Sequence, residues 1–177
     1  MDHFMEEIVV KKNRALNEVL YILSMIVMIL SAIYAMFMVQ FLFVAFDVFA
    51  LITVLLSGTV AVLLFLRRDR LRTEYEYTFT NGDLDFAMVF NNQKRKNLGT
   101  MKVRNVEAFG PTNSQNFQRY LTMKDVKVSN WFLNRGSELY YFYFAKEDSK
   151  RMIVIEPSEE MVEMIKKYLP YGAYQAK

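Results

Sequence analysis

The chain contains no cysteine and a single histidine. Without cysteine there can be no disulfide, no thiolate nucleophile and no cysteine-based zinc or iron–sulfur site. That absence fits a cytoplasmic or bacterial setting. His3 stands in a segment expected to be a frayed tail, so no histidine base or histidine metal ligand is expected in a folded domain. A glycine-rich phosphate loop, G-x-S-x-G and H-E-x-x-H are also missing. Carboxylates are paired at Glu74/Glu76 and Asp83/Asp85. Spacing of i, i+2 puts each pair on one face of a strand, where solvent-facing positions account for them. No enzymatic activity, cofactor or metal is expected.

Strong charge of either sign is lacking too. The net charge is +3, and from Arg67 onward 19 basic residues stand against 14 acidic ones, a difference of +5. So small and scattered an excess excludes a nucleic-acid binder. It suits a domain held near an anionic lipid surface, where each nearby basic side chain contributes about 1 kcal/mol.

What the chain does have is two long apolar runs. From Val19 to Leu66 the only strongly polar side chains are Gln40 and Asp47. A cleaved signal has an apolar region of about 7–15 residues and a small-residue exit; this block is longer and has no such exit. We expect a transmembrane hairpin over 19–66, with helices at 20–38 and 48–66, each near the roughly 20 residues needed to span a bilayer. The stretch 39–47 should lie at the far interface, with Asp47 a turn carboxylate. Lys11, Lys12 and Arg14 precede the block, and Arg67, Arg68, Arg70 and Arg72 follow it as a basic juxtamembrane linker over 67–73. The positive-inside rule then places the N-terminal segment 1–18 and the C-terminal domain in the cytoplasm, the protein being multi-pass in the inner membrane. Ser31/Ala35 and Ser57/Ala61 are small-xxx-small pairs. Such pairs allow close helix packing within the hairpin or, as the sharper alternative, in a homo-oligomer. Met25, Met28, Met36 and Met38 are read as apolar filler rather than a Cu(I) site.

Beyond Arg72 the pattern changes to short alternating segments. Glu74–Phe79 alternates polar and aromatic residues, Asn81-Gly82 signals a tight hairpin, and Leu84, Phe86, Met88 and Phe90 share one face of the next strand. Lys96–Phe109 supplies two more strands, 112–122 reads as a loop, and further strands are expected at 125–133, 139–145 and 152–155. Pro157, followed by acids and then lysines, marks a helix whose apolar stripe is Met161, Val162, Ile165 and Leu169.

Two apolar helices, about seven antiparallel strands and a closing helix give a membrane hairpin plus a mainly-β, α+β domain over 74–170, with a tail at 171–177. Tyr77-Thr78-Phe79-Thr80-Asn81-Gly82-Asp83-Leu84, Val103-Arg104-Asn105-Val106 and the Ile155-Glu156-Pro157 step into the helix resemble the bacterial membrane proteins that hang a pleckstrin-homology-like (PH-like) domain from a two-helix hairpin. The resemblance implies a PH-like barrel or split sheet. It also implies a departure, because the first hairpin, Asn81-Gly82-Asp83, lacks the basic residues with which phosphoinositide-binding members hold lipid phosphates.

Lys94, Arg95 and Lys96 form the nearest basic cluster, a candidate lipid-headgroup contact that would also blunt an exposed strand edge. Trp131-Phe132-Leu133 is expected in the core, with insertion into the bilayer as the alternative. The expected function is a non-catalytic, membrane-tethered interaction or scaffold module that binds a membrane or cytoplasmic protein through a strand edge or groove. Anionic-lipid sensing and an accessory role in a transporter are the alternatives.

Overall fold

Between Ala15 and Val44 the sequence holds neither glycine nor proline, and nothing interrupts the helix that starts there. The computed structural model describes residues 3–146 and 149–176. The chain forms two compact units, Asn13–Thr73 and a second comprising Met1–Lys12 with Glu74–Lys177.

The first unit is a helical hairpin. Helix α1 covers Ala15–Val44 and α2 covers Val48–Arg67; both are long and apolar enough to cross a bilayer. The loop expected at 39–47 is shorter than that, because 39–44 is as apolar and as free of breakers as the helix it extends. Asp47 caps α2, its Oδ2 accepting the Ala50 amide at 3.0 Å, which is the turn role expected of it. Hydroxyls inside the helices bond to their own backbone: Ser57 Oγ donates to Thr53 O at 2.7 Å and Thr59 Oγ1 to Leu55 O at 2.7 Å. At the open end Asn17 Nδ2 donates to Leu71 O at 2.8 Å. Arg72 pairs with Glu18 and stacks 3.8 Å from the centre of the Tyr21 ring. The expected linker is a 3-10 turn, Arg68–Arg72.

The second unit has eight described strands rather than seven. The additional one, β1 (Phe4–Val9), comes from the segment read as a tail. It pairs antiparallel with β2 (Thr73–Thr80), from Phe4 opposite Thr80 to Val9 opposite Tyr75. His3 is therefore not frayed, since its Nδ1 lies 2.6 Å from the Tyr168 hydroxyl. The helical hairpin is thus inserted in sequence between two neighbouring strands of one sheet. That sheet continues through β3 (Asp83–Phe90) to β4 (Lys94–Lys102) in the order β1-β2-β3-β4. Asn81 and Gly82 both have positive φ, 50° and 96°, as the tight turn requires. A Cβ on Gly82 would stand 2.7 Å from the Tyr168 ring.

The other sheet holds β5 (Ala108–Pro111), β6 (Val126–Trp131), β7 (Tyr140–Lys146) and β8 (Ser149–Ile155), ordered β5-β7-β8-β6. The all-antiparallel expectation fails at one place: β6 runs parallel to β8. The expected loop 112–122 contains a helix, α3 (Gln115–Leu121), capped by Ser114. Its Phe117 and Tyr120 cover Tyr141 and Tyr143 on the outer face of this sheet, with ring centroids 5.3 Å and 4.2 Å apart. Both faces of β7 are consequently buried, which explains its unbroken aromatic run. Between the sheets lie Tyr77, Phe79, Leu84, Phe86, Phe109, Phe142 and Ile155, and α4 (Glu159–Lys166) docks on them through Met161, Val162 and Ile165. The tail is also engaged: Phe109 N donates to Ala173 O, and Gln175 N donates to Phe109 O, both at 2.8 Å. The arrangement is a split pair of sheets, with no described ladder joining β4 to β6.

Replacing residues 13–72 by a short Gly/Ser bridge should therefore give a water-soluble, cooperatively folding domain. A fragment starting at Thr73 lacks β1 and should be less stable by about 2–4 kcal/mol through lost burial and orphaned β2 hydrogen bonds. Urea unfolding followed by Trp131 fluorescence compares the two.

Candidate functional site

Two sheet edges that do not pair with each other, β4 and β6, flank a cleft of about 260 Å³. One end is held shut. Tyr77 donates its hydroxyl hydrogen to Trp131 O, Tyr75 does the same to Asn130 O at 3.4 Å, and the Phe86 and Trp131 rings lie 4.8 Å apart. From there the floor runs over Met101, Phe144 and Ile153, with Thr100 and Ser129 at its sides.

The mouth is cationic. Lys127 is opposite Arg151 in the parallel ladder, and Arg151 is opposite Phe144 in the antiparallel one. Lys146 stands two residues beyond Phe144, on the same face by strand alternation. Arg151 Nε reaches Ser149 Oγ at 3.3 Å. Among the described residues, no carboxylate forms an ion pair with Lys127, Lys146 or Arg151. Across the cleft, β4 carries a bulge opposite Phe86/Ala87, and Gly99 has φ +138° with its amide donating to Asn97 Oδ1 at 2.8 Å. Only a glycine adopts that backbone without strain.

The basic run singled out from sequence is elsewhere on β4 and does not line this cleft. Lys94, Arg95 and Lys96 are exposed opposite Phe90, Val89 and Met88. Arg95 is engaged by Glu76 at 3.2 Å. In the hairpin, Arg67 and Arg70 are exposed, while Arg68 lies 3.7 Å from Asp69 and Arg72 is held by Glu18. Ser31, Ala35, Ser57 and Ala61 are all half-buried. Trp131 and Leu133 pack against the main core and Phe132 against the outer one.

Three carboxylates, Glu7, Glu76 and Glu156, are engaged within the fold. Glu76 is not solvent-facing as expected but buried. A hydrogen bond with Glu6, together with burial, raises its pKa against the opposing pull of Arg95. Glu7 is raised by burial, partly offset because it accepts the Ser158 amide at 2.8 Å and the Ser158 hydroxyl at 3.0 Å. Glu156, also buried, accepts from the Asn134 amide at 3.0 Å and from Asn134 Nδ2 at 2.8 Å. Asn134 in turn accepts from Lys12 N at 2.8 Å and donates to Val10 O at 2.9 Å. Burial raises the Tyr77 phenol strongly and takes Tyr141 up to about 12, so both stay protonated and serve as donors. No group of three or more potential metal ligands occurs among the described residues.

Two outcomes follow. Glu156→Ala should destabilise the domain by about 2–3 kcal/mol, because buried amides lose their acceptor, as read by denaturant unfolding. A carboxylate with a raised folded-state pKa contributes stability that is complete below the ordinary glutamate range and is lost as pH rises through the raised value. Glu76→Gln should therefore gain on the parent protein as pH rises through that window, a trend visible in midpoints measured across it.

No curated protein and no solved structure gives a significant match to this chain. A family model described as bacterial PH-like domain (DUF6106) matches residues 1–175, a span that includes β1, the hairpin, both sheets and α4. The split sheets, the closing helix and that match agree, and the chain belongs to the bacterial PH-like domain family DUF6106.

Proposed function

We propose that the chain is a non-catalytic interaction module tethered in the inner membrane by α1 and α2, with both termini in the cytoplasm, and that its PH-like domain engages a protein at the β4/β6 cleft. The observation that carries this reading is the cleft itself. It combines two strand edges with no described ladder between them, an apolar floor and three cations that have no acidic partner among the described residues. Edges and grooves of this kind bind extended segments through main-chain hydrogen bonds and side-chain pockets. Sidedness rests on the basic residues that flank the hairpin, Lys11, Lys12 and Arg14 before it and Arg67 to Arg72 after it. In this reading Arg67 and Arg70 sit at the headgroup level, and the small residues Ser31, Ala35, Ser57 and Ala61 line the packing seam of the helices.

A protein ligand is favoured over lipid as principal partner. Membrane attachment is already supplied by the hairpin, and Arg95, the middle of the exposed basic run, is engaged by Glu76.

The absence of cysteine makes topology testable by single introduced thiols. Asp47→Cys should react with an impermeant maleimide added outside the cell, and Glu163→Cys only after permeabilisation. A photocrosslinker at Leu98 or Ser129, in native membranes, should give protein adducts that a crosslinker at Glu163 does not. Labelling of the opposite sense would overturn the sidedness. Adducts no different from the Glu163 control would overturn the cleft as the working face.

A further inference from the structure

The chemistry of the cleft narrows what can enter it. At about 260 Å³, it lies just below the range of roughly 300–1,000 Å³ typical of drug-sized ligand sites. A pair of lipid acyl chains would not be accommodated, whereas one or two apolar side chains would be. The β6 edge is the more regular of the two walls. Its six residues pair with β8 without a register shift, while β4 is broken by its bulge at Gly99. Tyr75 and Tyr77 occupy the carbonyls of Asn130 and Trp131 at one end, and the rest of such an edge offers backbone amides and carbonyls to an incoming chain. Lys127, on β6 itself, and Arg151, beside it on β8, stand in one cross-strand row, and Lys146 extends the positive charge beyond Phe144. Those cations lack acidic partners among the described residues.

We infer that the partner is an acidic segment bound in extended form as an added strand on the β6 edge. An apolar side chain of the segment sits over Met101, Phe144 and Ile153, and its carboxylates face Lys127, Lys146 and Arg151. The floor and the cations share the inner face of the sheet, and residues i and i+2 of an added strand point to one side. An apolar residue can therefore enter the floor while carboxylates two residues to either side of it meet the charged rim. The inference rests on the reading of the cleft as the working face and names the chemistry of what binds there.

Trp131, the only tryptophan in the chain, lines the cleft and reports on its occupancy. The test uses the full chain in nanodiscs of phosphatidylcholine. The probe is a synthetic peptide of about twelve residues in which glutamate and phenylalanine take turns at every second position, with threonine between them, so that both side-chain types share one face. We expect a saturable change in Trp131 emission that weakens with salt. The same peptide with lysine for glutamate should give none, and one N-methylated on alternate amides should lose binding. Lys127→Gln with Arg151→Gln should weaken the acidic peptide about tenfold, with an unchanged unfolding midpoint showing that the fold survives.

Binding indifferent to N-methylation or to the double substitution would overturn the inference. So would the same emission change on moving to phosphatidylglycerol nanodiscs without peptide, which would make the site a headgroup site. If the acidic peptide fails while Leu98 and Ser129 still crosslink to protein in native membranes, only the ligand chemistry falls. If neither occurs, the cleft reading falls with it.

Discussion

The pairing of β1 with β2 is the constraint on which the rest of the structure depends. The two strands are neighbours in one sheet, yet the helical hairpin stands between them in sequence. Closing so long a loop carries an entropic cost that grows only with the logarithm of its length. The insert reduces that cost further because its own ends are brought together, by the Asn17 bond to Leu71 O and the pairing of Glu18 with Arg72. Once β1 is in place, Glu7 receives the amide of Ser158 ahead of α4, and Asn134 grips the chain at Val10 and Lys12 as it leaves the strand. One short strand therefore helps to orient the closing helix.

The same geometry leaves the cleft open. Tyr75 and Tyr77, opposite Val9 and Glu7 on β1, reach across the core to the carbonyls at the C-terminal end of β6. They tie the sheets together there. Toward Lys127 no described ladder joins the sheets, and the inner face of the second sheet changes from aromatic and aliphatic residues to cations. A buried polar tie at one end and edges without a described ladder at the other give the cleft its form.

Much of this was legible in the sequence, and the failures have physical causes. The apolar runs announced two helices, and the change to period-two alternation announced the strands. The true end of α1 was hidden because an apolar helix and an apolar loop share a composition. β1 was missed because six residues next to a charged stretch look like a tail until their partner, far along the chain, is known. α3 carries only Phe117 and Tyr120 as inward residues among polar neighbours, too few to show a helical period. Alternation is also blind to strand direction, so the parallel β6/β8 pair could not be read. For the site, Lys94-Arg95-Lys96 stood out because the residues are contiguous. Lys127, Lys146 and Arg151 are scattered and become a group only through the register of three strands.

The central claim, that residues before the hairpin are a working strand of the PH-like domain, is tested most directly by amide hydrogen exchange on the full chain in nanodiscs. The account predicts that the hydrogen-bonded amides of Phe4–Val9 are protected to the same degree as those of Thr73–Thr80, since the two strands open together. Exchange of Phe4–Val9 at the rate of an unstructured peptide, with β2 still protected, would contradict it.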